Sequence, residues 1–225
     1  VLLDRPEKSN ALSTPFLLEM IGCFEKLESD AALRVVVLAG RGKAFCGGAD
    51  VAELSALDGS NGGAFVERIH RVCEAIRALP VPVVAQLHGA VIGAGLEIAA
   101  ACDLRVAAEG TKFAMPEVRL GIPSVVEAAL LPRLIGAGRA AWLVMTGEFI
   151  DARRACEWGL VEEVGGNEAV ERLVESLRAG DREALRAQKA LCQLWDEAPL
   201  EESVTRSIAA VERCIGKNAD GGNTI

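Results

Sequence analysis

Glu97 and Glu117 stand 20 residues apart, each set among small and apolar side chains. Carboxyl groups so placed are candidates for acid–base work. Two of them can share a water, one accepting its proton while the other gives a proton up. Both positions also have plainer uses. Glu97 falls in the first turn of an alanine-rich helix, where a carboxylate offsets the helix dipole. Glu117 has Arg119 close by as an ion-pair partner. A third acid, Glu127, closes the run Ser124-Val-Val-Glu127, which has the S-x-x-E form of a capping box. That role, at the start of a helix reaching about residue 134, is favoured for it over a place beside the two other acids.

Two glycine-rich turns stand near these acids in sequence. The first, Gly40-Arg-Gly-Lys-Ala-Phe-Cys-Gly-Gly-Ala-Asp50, follows the apolar run at 35–39. The second, His88-Gly-Ala-Val-Ile-Gly-Ala-Gly95, follows the run at 81–87 and leads into the helix that carries Glu97. A strand that breaks at glycines and restarts as a helix exposes unpaired N–H groups, which attract a phosphate or an oxygen gaining charge. Gly89, Gly93 and Gly95 do not make G-x-G-x-x-G, and no P-loop lysine follows, so a dinucleotide turn is disfavoured. Tight helix–strand packing is the simple alternative. Two such turns at the carboxyl ends of neighbouring parallel strands point instead to an oxyanion hole built from two backbone amides.

The elements needed to position these groups can be read along the chain. Strands are expected at 1–4, 35–39, 81–87, 104–108 and 160–164, with 113–117 extended because residue 115 precedes a proline. Helices are expected from Ser13-Thr-Pro15 to about residue 28, with Phe16, Met20, Phe24 and Leu27 on one face, and at 51–57, 64–79, 138–146 and 151–158. Residues 58–63 form the most flexible-looking stretch, and everything from 167 is helical, broken at Gly180 and Pro199. Alternating strands and helices give an α/β domain with mainly parallel pairing, followed by a helical region.

The chain has 225 residues, and 51% of them are hydrophobic, enough for a sizeable core in one large domain or two small ones. Its net charge of −8 argues against nucleic acid as a partner. No uninterrupted run of 18 apolar residues occurs and no signal peptide is visible, so a soluble, cytoplasmic or organelle-matrix protein is expected. The first residues read as the end of a strand, as if the natural chain begins upstream. Seven cysteines form no C-x-x-C pair, and most lie in apolar runs, which reads as reduced core thiols. Cys46 has no histidine placed to activate it, and His70 and His88 are read as structural.

Four segments in order, Arg5-Pro-Glu-Lys-Ser-Asn-Ala11, Ala44-Phe-Cys-Gly-Gly-Ala-Asp50, His88–Glu97 with Ala101-Cys-Asp103, and Phe113-Ala-Met-Pro-Glu117, resemble successive motifs of the crotonase (enoyl-CoA hydratase/isomerase) superfamily. The likeness implies an α/β fold, a spiral of ββα units over 1–165 that holds the active site. It also implies a helical region at 166–225 that builds trimers or hexamers. It implies an acyl-CoA substrate, no metal or redox cofactor, and no nucleic-acid or membrane partner. Oxyanion donors would be the N–H groups of Ala49 and Ala94. Lys8, Ala11, Ala49, Asp50, Val51 and Gly93 would line the substrate and coenzyme A site, with Arg5, Lys8, Arg41 and Lys43 as a basic cluster near its phosphates. Hydratases of the family keep both counterparts of Glu97 and Glu117, whereas isomerases generally keep the second alone. Hydration of an enoyl thioester is therefore expected, with Glu97 chiefly activating water and Glu117 chiefly handling the C2 proton. A Δ3,Δ2-enoyl-CoA isomerase, another acyl-CoA lyase, or a non-catalytic CoA-binding member are the alternatives. Two departures stand out. Ala94 replaces a common glycine, and Ile122-Pro-Ser-Val-Val-Glu127 replaces an IPGAGG-type run. Residues 58–63 and 123–127 are expected to shape the acyl pocket.

Overall fold

A computed structural model describes residues 1–220. Its strands are β1 (Leu2–Leu3), β2 (Val36–Gly40), β3 (Val83–Leu87), β4 (Ala90–Ile92), β5 (Leu104–Ala107), β6 (Lys112–Ala114), β7 (Ile150–Asp151) and β8 (Glu163–Val164). Its helices are α1 (Thr14–Glu28), α2 (Val51–Ser55), α3 (Gly62–Ala78), α4 (Ala94–Ala101), α5 (Leu131–Ile135), α6 (Ala137–Thr146), α7 (Ala152–Trp158), α8 (Asn167–Ala179), α9 (Arg182–Glu197) and α10 (Leu200–Asp220). The larger sheet runs β1-β2-β3-β5-β8 and is parallel throughout. The smaller one runs β4-β6-β7, parallel then antiparallel. Single bridges, Leu12 with Ala49 and Cys46 with Val91, tie the earlier turns of the chain beside the smaller sheet. Each pass thus contributes to the large sheet, crosses to the small one and returns through a helix.

The crossings explain the glycines. The turn expected at 88–95 contains a strand, β4, because Gly89 bends the chain sharply enough to start one. Gly89 has φ +59, and a Cβ there would lie 1.9 Å from the Lys43 carbonyl oxygen. Asn10, fully buried, locks the first pass to the second, its amide donating to the carbonyls of Arg41, Ala44 and Phe45.

Helix α3 buries Phe65, Ile69, Val72, Cys73 and Ile76, a helical spacing that packs on α1 and α4. Helix α4 is buried along its whole length, Leu96, Glu97 and Ile98 included. The buried face of α1 is Leu17, Met20, Ile21 and Phe24, so the stripe is turned from the expected one and leaves Phe16 and Leu27 half-buried. Helix α8 packs Ala169 and Val170 on Val84 and Val106 of the large sheet. All seven cysteines are free. Cys46, Cys73 and Cys102 are buried, whereas Cys192 is exposed, so the core reading applies to only part of the set. No helix among the described residues is long and apolar enough to cross a membrane.

Candidate active site

Strands β2 and β3 are neighbours, so the two glycine-rich turns leave the sheet side by side. In the Leu12–Ala49 bridge, the Leu12 N–H donates to Gly48 and the Asp50 N–H donates to Leu12, both at 2.8 Å. Alternation along an extended chain therefore turns the Ala49 N–H away from Leu12. Ala94 opens α4, where the first amides have no acceptor within the helix. Neither amide donates to another group among the described residues. The two segments touch at Gly48, which has φ +94. A Cβ there would stand 2.9 Å from the Ile92 carbonyl oxygen and 4.0 Å from the Ala94 nitrogen. Two unpaired amides on touching segments can stabilise an oxygen that gains charge.

The acids lie beside them. Glu117 opens a 3-10 turn, Glu117–Leu120, so the extended stretch ends with β6 rather than at residue 117. Its carboxylate rests on Gly93, where a Cβ would lie 2.3 Å from Glu117 Oε1, and Ser124 Oγ donates to its Oε2 at 2.8 Å. Arg119 does not pair with it; Arg119 reaches Glu148 instead. Glu97 is buried in α4, and the Ala128 N–H donates to its Oε1 at 3.3 Å. Burial first, then the charge of Glu117, pushes Glu97 up to about 8; the Ala128 amide opposes this and Glu127 adds a little. At neutral pH Glu97 therefore holds a proton.

The segment that departs from the IPGAGG-type run organises both acids. Ser124 holds Glu117, Ala128 holds Glu97, and Glu127 lies between them in sequence. The capping box is absent. The helical piece Val126–Leu130 is a 3-10 turn with no side-chain cap, followed by α5 as a separate helix. Glu127 Oε1 instead shares a hydrogen bond of 2.8 Å with His70 Nδ1. Val126 has φ +39, a conformation that a β-branched residue adopts only at a cost. The neighbouring Cys73 thiol is neutral, raised by burial and then by the Glu127 and Glu97 charges. No local pattern announces Ser124 or His70 as neighbours of the acids, since their partners lie 7 and 57 residues away.

A family profile described as "Enoyl-CoA hydratase/isomerase" matches residues 1–210. The chain belongs to that family. Among curated proteins it is similar to a "Probable enoyl-CoA hydratase" of Bacillus subtilis, 37% identical over 80% of this chain and 69% of that protein. It is also similar to a "Crotonyl-CoA hydratase" of Syntrophomonas wolfei, 38% identical over 72% of this chain and 63% of that one. Among solved structures, the enoyl-CoA hydratase of Bacillus anthracis superposes with a TM-score of 0.91 at 32% identity, covering 96% of this chain and 86% of the other. The crotonase fold expected from the four motifs is thus the fold of this enoyl-CoA hydratase/isomerase family member.

The positions that the crotonase resemblance assigns to coenzyme A fall into two groups. Asp50 is buried as the N-cap of α2. Its side chain accepts from Ala52 N–H at 2.9 Å and pairs with Arg5 at 2.7 Å, and the Arg5 hydrogen bond holds its carboxyl below the usual range. Arg5 also donates to the Ala11 carbonyl at 2.8 Å, and Arg41 pairs with Asp4 at 2.9 Å. Two of the four cluster cations are thereby engaged within the protein. Lys8 and Lys43 are exposed and enter no ion pair among the described residues, while Val51 is 75% exposed at the start of α2. Gly93 donates to the Ala114 carbonyl at 2.9 Å and stands directly under Glu117. Cys46 is buried, its thiol pushed up to about 12 by burial, so it is no nucleophile. His88 bonds the Gly42 carbonyl at 3.0 Å.

Proposed function

We propose that this protein hydrates a 2-enoyl-CoA thioester, with the amides of Ala49 and Ala94 holding the thioester oxygen and Glu97 and Glu117 sharing the reacting water. The observation that carries this reading is the pair of acids beside two unpaired amides, with Glu97 holding a proton at neutral pH. The water oxygen bonds to C3 while its proton passes to the carboxylate. The other acid's proton goes to C2, so the pair ends with one proton, as it began. Between those events charge collects on the thioester oxygen, where two amides stabilise it. The proton rests on Glu97 before substrate arrives. If Glu97 is to activate water and Glu117 is to serve C2, that proton crosses to Glu117 once a water bridges them.

Lys8 and Lys43 are proposed to meet the coenzyme's phosphates, with Val51 and Ala11 along its path. Copies of the chain are proposed to assemble as trimers or hexamers through the C-terminal helices. The deciding experiment mixes the protein with crotonyl-CoA and follows the ultraviolet absorbance of the conjugated thioester. Its loss supports hydration. Stable absorbance across enoyl chain lengths, with isomerisation of a 3-enoyl-CoA instead, assigns the site to the isomerase reaction run by Glu117 alone.

A further inference from the structure

Glu127 and His70 form an arrangement that hydration itself does not require. Glu127 is 6% exposed, one oxygen is bound to His70 Nδ1, and its Oε2 is buried without a hydrogen-bond partner. A buried carboxylate with an unsatisfied oxygen is costly, and the left-handed backbone of Val126 adds strain next to it. The pair lies on the wall of a cleft of about 810 Å³ between the start of α3 and the 3-10 turn. Gly62, Gly63 and Val66 face Val125, Val126 and Glu127 across it, so the two segments expected to shape the acyl pocket do line one cavity. One residue beyond Glu127, the Ala128 N–H donates to Glu97, so the wall of the cleft is joined to that acid through the backbone.

The polar groups of the wall narrow what it can take. The second ring nitrogen of His70, Nε2, is 3.6 Å from Glu74 Oε1, beyond hydrogen-bond reach, and the side chain is 37% exposed. The hydrogen bond to Glu127, followed by the charges of Glu127, Glu74 and Glu67, raises the ring's affinity for its proton against the effect of burial. With Nδ1 on Glu127, Nε2 is left for the cleft, an acceptor while the ring is neutral and a donor when it is charged. Four acids (Glu67, Glu74, Glu127 and Glu197) face the cleft against Arg77 and Arg133, which disfavours an anionic tail. A plain alkyl tail would cover Nε2 without satisfying it.

We propose that this cleft receives the acyl group and that the His70–Glu127 pair selects acyl groups bearing an uncharged oxygen, a hydroxyl or a carbonyl, over plain alkyl chains. The inference rests on the acyl-CoA reading above. Glu127 orients the ring, and Nε2 exchanges one hydrogen bond with the substituent, accepting from a hydroxyl when the ring is neutral and donating to either kind of oxygen when it is charged. The test is calorimetric binding of hexanoyl-CoA, 6-hydroxyhexanoyl-CoA and 5-oxohexanoyl-CoA to the whole protein; none has a 2,3-double bond, so turnover plays no part. At least one oxygenated ligand should bind about tenfold tighter than hexanoyl-CoA. That preference should vanish in His70→Leu and shrink in Glu127→Gln, both checked for folding by circular dichroism melts. Leucine suits a half-exposed helix position, so the first variant is informative even where the second is unstable. Wild-type protein that binds hexanoyl-CoA as tightly as both oxygenated ligands, or a preference that survives in His70→Leu, overturns the proposal. Crotonyl-CoA hydration is read separately. Turnover without the oxygen preference removes this inference and leaves the hydratase; the preference without turnover does the reverse. Failure of all three ligands to bind removes both.

Discussion

Glu97 sits where burial and chemistry pull against each other. The unfolded chain releases this proton near 4.5, the ordinary glutamate value, whereas the folded protein holds it to about 8. Between those values the folded state binds the extra proton, so stability falls as pH rises from about 4.5 to about 8, by on the order of 5 kcal/mol. Below that window both states are protonated and nothing is lost. Glu97→Gln removes the titration while keeping an acceptor for the Ala128 amide. Thermal melts of the variant should therefore run several degrees above wild type at pH 8 and converge with it near pH 4. In activity the same proton has the opposite value. The pair needs one proton to serve C2, so kcat/KM for crotonyl-CoA should fall as pH rises through about 8, and Glu97→Gln should lose hydration altogether. Glu117→Gln should melt like wild type yet lose turnover by about 10²–10⁴-fold, since it removes a proton-transfer group at a half-buried position. Near-normal turnover of either variant on every enoyl-CoA tested would remove that carboxyl group from the mechanism.

At the scale of elements, the site is made where β4 meets α4. Gly93 has φ +53 and ψ −123, and its missing side chain is the space in which Glu117 lies. Gly93→Ala should therefore do two things: strain the turn by about 1–3 kcal/mol and push the Glu117 carboxylate off its seat. A melt should show the first and a turnover drop of about 100-fold or more the second; a variant with lowered stability and full turnover would show that Glu117 needs no such seat. The glycine-rich turns and the places of the large sheet's strands were legible in the sequence because each is a local signal: a turn or an apolar run. Strand β4 was not, because three residues between two glycines carry too little pattern, and its pairing with β6 is long-range. The Ser124–Glu127 segment misled for a related reason. Its S-x-x-E spacing is a genuine capping pattern, but the buried surroundings offered Ser124 a better acceptor in Glu117 and Glu127 a partner in His70. Arg5 and Arg41 read as free cations for the same reason, until folding brought Asp50 and Asp4 to them.

For the whole molecule, the unusual surface is α10. Among its described side chains Ser203 and Ala210 are the buried ones, small and seven apart, while Leu200, Val204, Ile208, Val211 and Ile215 are each half or more exposed. Their spacing of four, four, three and four puts the large apolar groups on one stripe facing away from the protein's own core. Trp195 of α9, also half exposed, continues the patch, its indole N–H donating to Ser207 at 3.2 Å. A helix that turns its small side chains inward and its large ones outward is arranged for a neighbour, because an apolar stripe of this length is unfavourable in water. The net charge of −8 does not prevent association through such a stripe, since the stripe itself carries no charge. Light scattering on the whole protein should accordingly give a mass three or six times that of one chain. Val204→Glu combined with Ile208→Glu places two charges in the middle of the stripe at exposed positions, so it should shift the mass toward that of a single chain with the fold retained. A wild-type protein that is monomeric across the micromolar range, or a double variant with unchanged mass, would show that α10 is covered by something other than copies of this chain.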